Sequence, residues 1–440
     1  MAIQHRRQLT LASYFLQGTL DPEHRLVKLG KAIDWEEIHD ALRPYYSTLG
    51  RQGLPIRLMV GLHLLKHMEN MSDAQVTGRI AGDLYWMHFC GVDLTSLKDR
   101  YAHLNSSSMT KFRNRMGAQG FSEIEKIIQK YLLETKKIDP KMMTTDSSCM
   151  PKNIAYPTDS ALLDKGRRNL LKGIRKLKDL GVKSVKGLRS FSRRAKQICI
   201  TINKLGKDRM DRIKTGTLEL ARQAVHVKNK AKEMLWQTAG RANEKTKKMI
   251  SSLKRQVKIL ERVIQQSRLR FKGVHIKKKI YSLHEPQVCV IRKGKRAHAN
   301  EYGSKFNLAV DKNGFIVNHE IHWTNTGDSK LLKPALQNWK ENVGMYPRQV
   351  NADRGYSQTR RNIPKNISKI CIPKCGKTPH PDGKKGWFKK GQSLRAGIEA
   401  VIGHLKQDHR IDRSRYKGTQ GDRINLSLGC LAWNLKKMAA

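Results

Sequence analysis

Three acidic residues carry the chemistry that this sequence could do. Val350-Asn351-Ala352-Asp353-Arg354-Gly355-Tyr356 runs an apolar stretch into an aspartate, with a glycine close behind that is free to turn the chain. Lys141-Met142-Met143-Thr144-Thr145-Asp146 also ends an extended run on an aspartate. Gly397-Ile398-Glu399-Ala400-Val401-Ile402-Gly403-His404-Leu405-Lys406 reads as a helix bearing one acid. Strand ends are where open α/β sheets place their sites. One such aspartate more often just caps the following helix. Three carboxylates on two strands and a helix could hold two divalent cations. Phosphodiester cleavage needs an activated water and charge neutralisation at phosphorus, and two Mg²⁺ ions about 3.5–4 Å apart supply both. Mg²⁺ prefers hard oxygen ligands and keeps several waters, so two or three carboxylates suffice.

The helix adds two cations to this set. Arg395 and Glu399 stand at i and i+4, and Lys406 is seven beyond Glu399. All three project from one side, while Ile398, Val401, Ile402 and Leu405 form the stripe to be buried. Alone, an Arg–Glu surface pair is worth about 0.3–0.5 kcal/mol. After two strand-end aspartates, it reads as a metal ligand flanked by phosphate-facing cations.

Other constellations are weaker. Asp159 and Asp328 are rival carboxylates, and each reads as a loop or helix cap. Cys371 and Cys375 are four apart, but Pro373 lies between them and no second pair follows, which argues against zinc. Gly376-Lys377-Thr378 looks like the end of a phosphate-binding loop, yet Cys371 occupies the place of its first glycine, so no nucleotide cofactor is expected. His63, His67 and His88 lie on apolar helices and read as packed, as do Trp323 and Trp339.

Composition names the partner class. The 440 residues hold 87 Lys plus Arg against 37 Asp plus Glu, a formal net charge of +50. An enzyme for small metabolites needs no such excess, whereas a polyanion, nucleic acid above all, explains it. Charge alone also suits a ribosomal or packaging protein. Seven cysteines, an odd number, make no disulfide scaffold and fit a reducing cytoplasm. Met1 to Arg7 leads into a mixed polar segment rather than a secretory signal. Nowhere do about 18 apolar residues run together, so no membrane span is expected.

The positioning elements follow from periodicity. Residues 1–30 are weakly patterned, a partly ordered lead-in. From Trp35 to about Leu133 the pattern is helical, with Pro55 suited to a first turn and Ser72 and Gln75 to a capping box. Ser106-Ser107-Ser108 opens a basic helix, Met109 to Met116, on which Lys111, Arg113 and Arg115 are candidate exposed phosphate contacts. Short helices, a serine-rich break and a basic helix resemble a helix-turn-helix layout, and equally a plain helical bundle. A first strand at about 141–145 closes on Asp146. Residues 161–280 then hold 36 Lys or Arg against 8 Asp or Glu at helical spacing, a basic helical insertion whose solvated face suits phosphate backbone. Sheet character returns with Val288–Ile291, a hairpin over Phe306–Val317 turning at Asn313-Gly314, a helix over Ser329–Val343, the strand ending at Asp353, a short strand at Ile370–Pro373 and the helix of Glu399. Without the insertion this is a ribonuclease-H-like α/β arrangement, which brings the ends of its first and fourth strands together.

At this point the residues resemble a family. The chain is similar, almost end to end, to bacterial insertion-sequence transposases of the DDE class, of the superfamilies numbered four and five. Leu54-Pro55-Ile56-Arg57-Leu58-Met59-Val60-Gly61 and Leu84-Tyr85-Trp86-Met87-His88-Phe89-Cys90-Gly91 look like the family's helical N-terminal domain. Thr144-Thr145-Asp146 with Tyr156-Pro157-Thr158-Asp159, Glu301-Tyr302-Gly303-Ser304-Lys305 and Ala352-Asp353-Arg354-Gly355-Tyr356 look like its catalytic segments. Arg395, Glu399 and Lys406 match its last signature, Tyr-x2-Arg-x3-Glu-x6-Lys, with Gln392 in place of the tyrosine. The resemblance implies a helical N-terminal DNA-binding domain at 1–135, a ribonuclease-H-like catalytic domain at 136–160 and 286–440, and the basic insertion at 161–285. It implies that Asp146, Asp353 and Glu399 bind two Mg²⁺, with Mn²⁺ able to substitute, and that Arg395 and Lys406 steady phosphates. Double-stranded DNA, at the element's inverted repeats and at the target, would be the partner, and pairing two ends implies a homodimer in the bacterial cytoplasm. The alternatives are a structure-specific nuclease on the same fold, and a non-catalytic DNA-binding protein or inactive transposase copy.

Overall fold

The computed structural model describes residues 18–47, 49–50, 53–92, 104–206, 209–238, 243–292, 300–357, 363–374 and 380–440. They fall into two compact units, the first formed by residues 1–152 and 303–440 and the second by residues 153–302.

The first unit opens with helices α1 (Arg25–Ala32), α2 (Trp35–Leu42), α3 (Ile56–Met68), α4 (Asp73–Arg79), α5 (Leu84–Cys90) and α6 (Ser106–Glu134). The sequence passes α1 over as part of a lead-in; residues 1–17 lie outside the described residues. α3 is apolar on every side, and Ile56, Leu58, Val60, Leu62, Leu64 and Leu65 are all buried, which makes it a central helix rather than an amphipathic one. Ser72 and Gln75 form the expected capping box, each side chain meeting the other's backbone N–H. The serine run begins a single helix rather than a break. Asn105 caps α6, accepting from the Ser107 and Ser108 amides at 3.0 and 3.2 Å, and the helix bends at Gly117 before running on to Glu134.

Six strands follow: β1 (Met142–Pro151), β2 (Cys289–Arg292), β3 (Asn300–Val310), β4 (Ile316–His322), β5 (Gln349–Ala352) and β6 (Lys369–Cys371). In the first unit the order is β4-β3-β1-β5-β6. β1 pairs parallel with β5 from Met142–Gln349 to Thr145–Ala352, and antiparallel with β3 from Thr144–Val310 to Pro151–Gly303. An antiparallel hairpin on one side of β1 and parallel strands on the other make the expected ribonuclease-H-like sheet. β1 is longer than expected, so Asp146 lies within the strand and not at its end. The run from Ser147 to Pro151 continues because β3 supplies an equally long partner, while the parallel ladder stops at Thr145. The β3–β4 turn forms where Asn313-Gly314 predicts it, with Gly314 at φ +81° and the Asp311 carboxylate accepting from the Phe315 amide at 2.7 Å.

Further helices accompany the strands. In the second unit they are α7 (Asp159–Asp179), α8 (Ser192–Lys204), α9 (Met210–Gln237) and α10 (Glu244–Arg270); in the first, α11 (Leu332–Val343), α12 (Gly386–Asp408) and α13 (Gly418–Ala439). One sheet face is covered by α12, where Met150, Phe306, Leu308 and Ile316 meet Ile398, Val401, Ile402 and Leu405. The other joins the N-terminal helices and α11 in one core, with Trp339, Val350, Leu62 and Phe121 fully buried. α13 is absent from the sequence reading. Its buried residues, from Gly421 to Leu435, occupy nearly every side, so no amphipathic period marks it. A buried ion pair ties it to β1: the Lys152 amine donates to Asp422 Oδ1 at 2.5 Å and to Tyr416 O at 2.6 Å, with Trp323 Nε1 on the other Asp422 oxygen at 3.2 Å.

The second unit is a helical body containing the whole basic stretch. Its core joins α7, α9 and α10 through Leu163, Leu170, Ile174, Ala224, Val227, Leu253 and Leu260. Lys172, Arg175, Lys176 and Lys178 on α7, and Lys254, Arg255 and Lys258 on α10, face solvent. Asp159 is not the cap of α7; Thr158 is. Asp159 is buried instead between Arg270 at 2.9 Å and Lys279 at 3.4 Å, a local charge pair.

Candidate active site

Strand register builds the first part of the site. Thr145 and Ala352 are the last pair of the parallel ladder, so the next residues, Asp146 within β1 and Asp353 just beyond β5, lie side by side where the ladder ends. Asp353 Oδ1 accepts from the Arg354 amide at 2.6 Å, and Asp146 Oδ1 from the Ser147 amide at 2.7 Å. The Asp146 carboxyl is pushed up to about 6, chiefly by burial; the Ser147 amide and the Arg395 charge pull it down, while the Asp353 and Asp328 charges push it up. Asp353 is half exposed. A carboxylate pair of this kind, one desolvated and one wet, favours an added cation between them.

The second part arrives on α12. A close approach brings this helix down on the parallel strands: a Cβ on Gly391 would meet Asn351 Oδ1 and Cys371 Sγ at 2.6 Å, so only glycine fits. One residue on, Gln392 Nε2 donates to the Cys371 carbonyl at 2.9 Å, which gives the residue in the signature tyrosine's place an anchoring contact on β6. Arg395 then reaches two of the acids, its guanidinium 4.0 Å from Asp353 Oδ1 and paired with Glu399 one turn on. Glu399 is otherwise exposed. Lys406 is fixed from the other end, its amine donating to Ser148 Oγ at 2.8 Å, two residues beyond Asp146. Ile398, Val401, Ile402 and Leu405 are buried as their spacing predicts.

One guanidinium links Asp353 and Glu399, and its charge is felt at Asp146. Among the described residues, no three His, Cys, Asp or Glu side chains already stand in a metal-holding group. The donor set is nonetheless all carboxylate oxygen, the type hard divalent cations take. Arg395 supplies the positive charge that this cluster of acids requires.

Several residues of this region make contacts that the sequence reading does not give them. Asp328 opens a short 3₁₀ turn and caps nothing, contrary to expectation; its Oδ1 accepts from Ser147 Oγ at 2.6 Å and Lys305 Nζ at 2.7 Å. Tyr356, fully buried, donates to Asn307 Oδ1 at 2.8 Å beneath the Asp353 turn. The advance signals are Asp328 as a rival carboxylate, Lys305 and Tyr356 within the family-like segments, and Ser147 and Ser148 directly after Asp146. Gly355 does not serve as a left-handed turn; a Cβ there would lie 3.1 Å from Asp328 Oδ2, so its role is close approach.

The N-terminal candidates divide. Lys111 and Arg115 are exposed, with Arg115 over the Tyr46 ring at 4.5 Å. Arg113 is not exposed, because Met109, Phe112 and Met116 turn its side of the helix into the core; there it binds Asp73 at 2.6 and 3.0 Å and lies over Tyr416. His63 and His67 are packed as expected, both pushed down chiefly by burial, His63 to about 3. Cys371 is buried against the Phe388 carbonyl; Cys375 and Gly376-Lys377-Thr378 lie outside the described residues. All six described cysteines are free thiols, and no helix among the described residues is long and apolar enough to cross a membrane.

Comparison with known proteins agrees with this order of parts. Residues 15–115 match the family described as Transposase domain (DUF772), and residues 284–435 match the Transposase DDE domain. An uncharacterized protein, ORF8 in the nfe locus of Rhizobium meliloti, is 35% identical over 164 residues, covering 37% of this chain and 78% of that protein. No solved structure matches. A helical transposase region, followed by a DDE domain whose sheet sets two aspartates side by side where a parallel ladder ends, under an Arg–Glu helix, places the chain in a family: it belongs to the insertion-sequence DDE transposases.

Proposed function

We propose that this transposase binds the terminal inverted repeats of its own insertion sequence, hydrolyses phosphodiester bonds at the element ends and joins the freed 3′-hydroxyls to target DNA. The observation that carries the reading is the adjacency of Asp146 and Asp353 beneath the helix of Arg395 and Glu399. Asp146, Asp353 and Glu399 would hold two Mg²⁺, with Mn²⁺ as a substitute. The residues fit such ions: all three offer oxygen, burial disfavours ionisation of Asp146 while the Arg395 charge favours it, and a cation already bridges the other two. Bound there, divalent ions would supply charge neutralisation at phosphorus and activation of the attacking oxygen.

The chain's own residues do the rest. Glu399 turns from Arg395 toward the aspartates, which frees the guanidinium to meet a DNA phosphate. Lys406, steered by Ser148, offers a second positive charge on the same helix face. The cations of the second unit hold phosphate backbone without reading sequence. Lys111 and Arg115 contact DNA from the N-terminal helices, a role withdrawn for the buried Arg113. Pairing two element ends calls for a homodimer, acting in the cytoplasm.

Asp353→Asn protein tests the reading. With a labelled element-end oligonucleotide, plasmid and Mg²⁺, the wild type gives nicked and joined products and the variant neither. Full cleavage by the variant would refute it. Cleavage without joining in the wild type would leave only a nuclease.

A further inference from the structure

Asp328 lies outside the three acids assigned above, and its placement is hard to explain by folding alone. One oxygen, Oδ1, is held by two donors, Ser147 Oγ at 2.6 Å and Lys305 Nζ at 2.7 Å, and the same amine reaches the Thr326 carbonyl at 2.8 Å. The other oxygen, Oδ2, faces Gly355, where only the missing Cβ leaves room for it. The carboxylate is thus wedged between the residue after Asp146 and the turn two residues after Asp353. Lys305 is nearly buried and Asp328 about one third exposed. A pair of this kind contributes little to stability once its desolvation is counted. A tight approach to Gly355 and an orienting lysine are what a site needs, not what a surface turn needs.

We propose that Asp328 is a positioning residue of the cation site. It fixes Ser147, and through it the strand position of Asp146, and it adds an outer-sphere negative charge that strengthens divalent-cation binding by the ligating acids. Lys305 sets its orientation and limits its charge. Asp328 is assigned an outer place because Ser147 Oγ and Lys305 Nζ already occupy its Oδ1. Outer partners of this kind are worth about 10- to 100-fold in metal affinity. The inference rests on the two-metal reading above and deepens it.

Mn²⁺ binding to the full chain, read by the loss of free-ion electron paramagnetic resonance at low salt, tests it apart from activity. Asp328→Asn keeps the shape and an acceptor oxygen but removes the charge, and should weaken Mn²⁺ binding about tenfold. Asp328→Glu should recover part of the loss. Lys305→Gln removes the opposing charge and should tighten binding. A merely structural pair predicts instead that both neutral variants lower the melting temperature together while leaving Mn²⁺ affinity alone; that result overturns the inference. Asp353→Asn, run in parallel, separates the two layers. If the wild type takes up no Mn²⁺, or Asp353→Asn binds as wild type does, both readings fall. If Asp353→Asn loses the ion and Asp328→Asn keeps wild-type affinity, only the role of Asp328 falls.

Discussion

Arg395 gives the most exacting prediction, because it couples two properties that normally move together. In the DNA-free protein its guanidinium sits 4.0 Å from Asp353 and pairs with Glu399. At 4 Å a unit-charge contact is worth about 1 kcal/mol in water and about 4 kcal/mol near a protein surface. Asp353 and Glu399 are 52% and 62% exposed, so the lower figure applies to each. A divalent ion entering between these acids must therefore displace contacts worth about 1–2 kcal/mol in sum. Arg395→Gln removes that competition, and should tighten Mn²⁺ binding by about 5- to 30-fold, since about 1.4 kcal/mol is a factor of ten. The same substitution deletes a cation from the place where phosphate must be held, so Mg²⁺-dependent cleavage of element-end DNA should fall. Titration of the full chain with Mn²⁺ at low and moderate salt measures the first effect, and the gain should shrink as salt rises. Weaker ion binding in Arg395→Gln would show that the arginine orders the acids rather than competing for them, and the reasoning would fail.

Other consequences can be checked singly. Lys152→Met leaves the Asp422 carboxylate buried without its cation and should destabilise the first unit by about 3–5 kcal/mol, while Lys152→Met with Asp422→Leu should recover most of it; equal losses in single and double variants by denaturant titration would contradict the pair. Asp311 is buried and pushed up to about 6 by desolvation. Its folded value lies above the unfolded one near 3.8, so its contribution favours folding below about pH 4 and declines through pH 6, a change of up to about 3 kcal/mol. Asp311→Asn should remove that slope, and identical pH profiles for the two proteins would exclude it. Arg113→Ala should cost stability through the orphaned Asp73, whereas Lys111→Ala and Arg115→Ala should leave stability alone and reduce the salt dependence of DNA binding by about one ion each. A folded Arg113→Ala protein with a wild-type melting temperature would reverse that division.

Much of this architecture can be read from residue order. The strand–hairpin–helix–strand–strand–helix succession is legible because its signals are local: Asn313-Gly314 for the turn, Leu332 to Trp339 for a helix, Ile398 to Leu405 for another. Elements buried on all sides defeat the same logic, and α13 has no polar face to betray it. Pairing length is also invisible, since β1 runs past Asp146 only because β3 meets it there. In the site, the acids at the ladder's end and the Arg–Glu pair follow from spacing. Asp328, Lys305 and Ser147 do not, because their convergence depends on where a turn before α11 falls relative to β1. Arg113 fails for a related reason: basic spacing on a helix does not say which side faces inward.

The second unit interrupts the chain between β1 and the strand that pairs with it antiparallel, and α12 and α13 come after all of this. During synthesis, Asp146 therefore waits through 207 residues for Asp353 and 253 for Glu399. Parallel β1–β5 pairing joins residues 207 apart, the most remote of the described strand pairings, and distant contacts form late. A growing chain therefore presents the cations of the second unit before it holds all three acids.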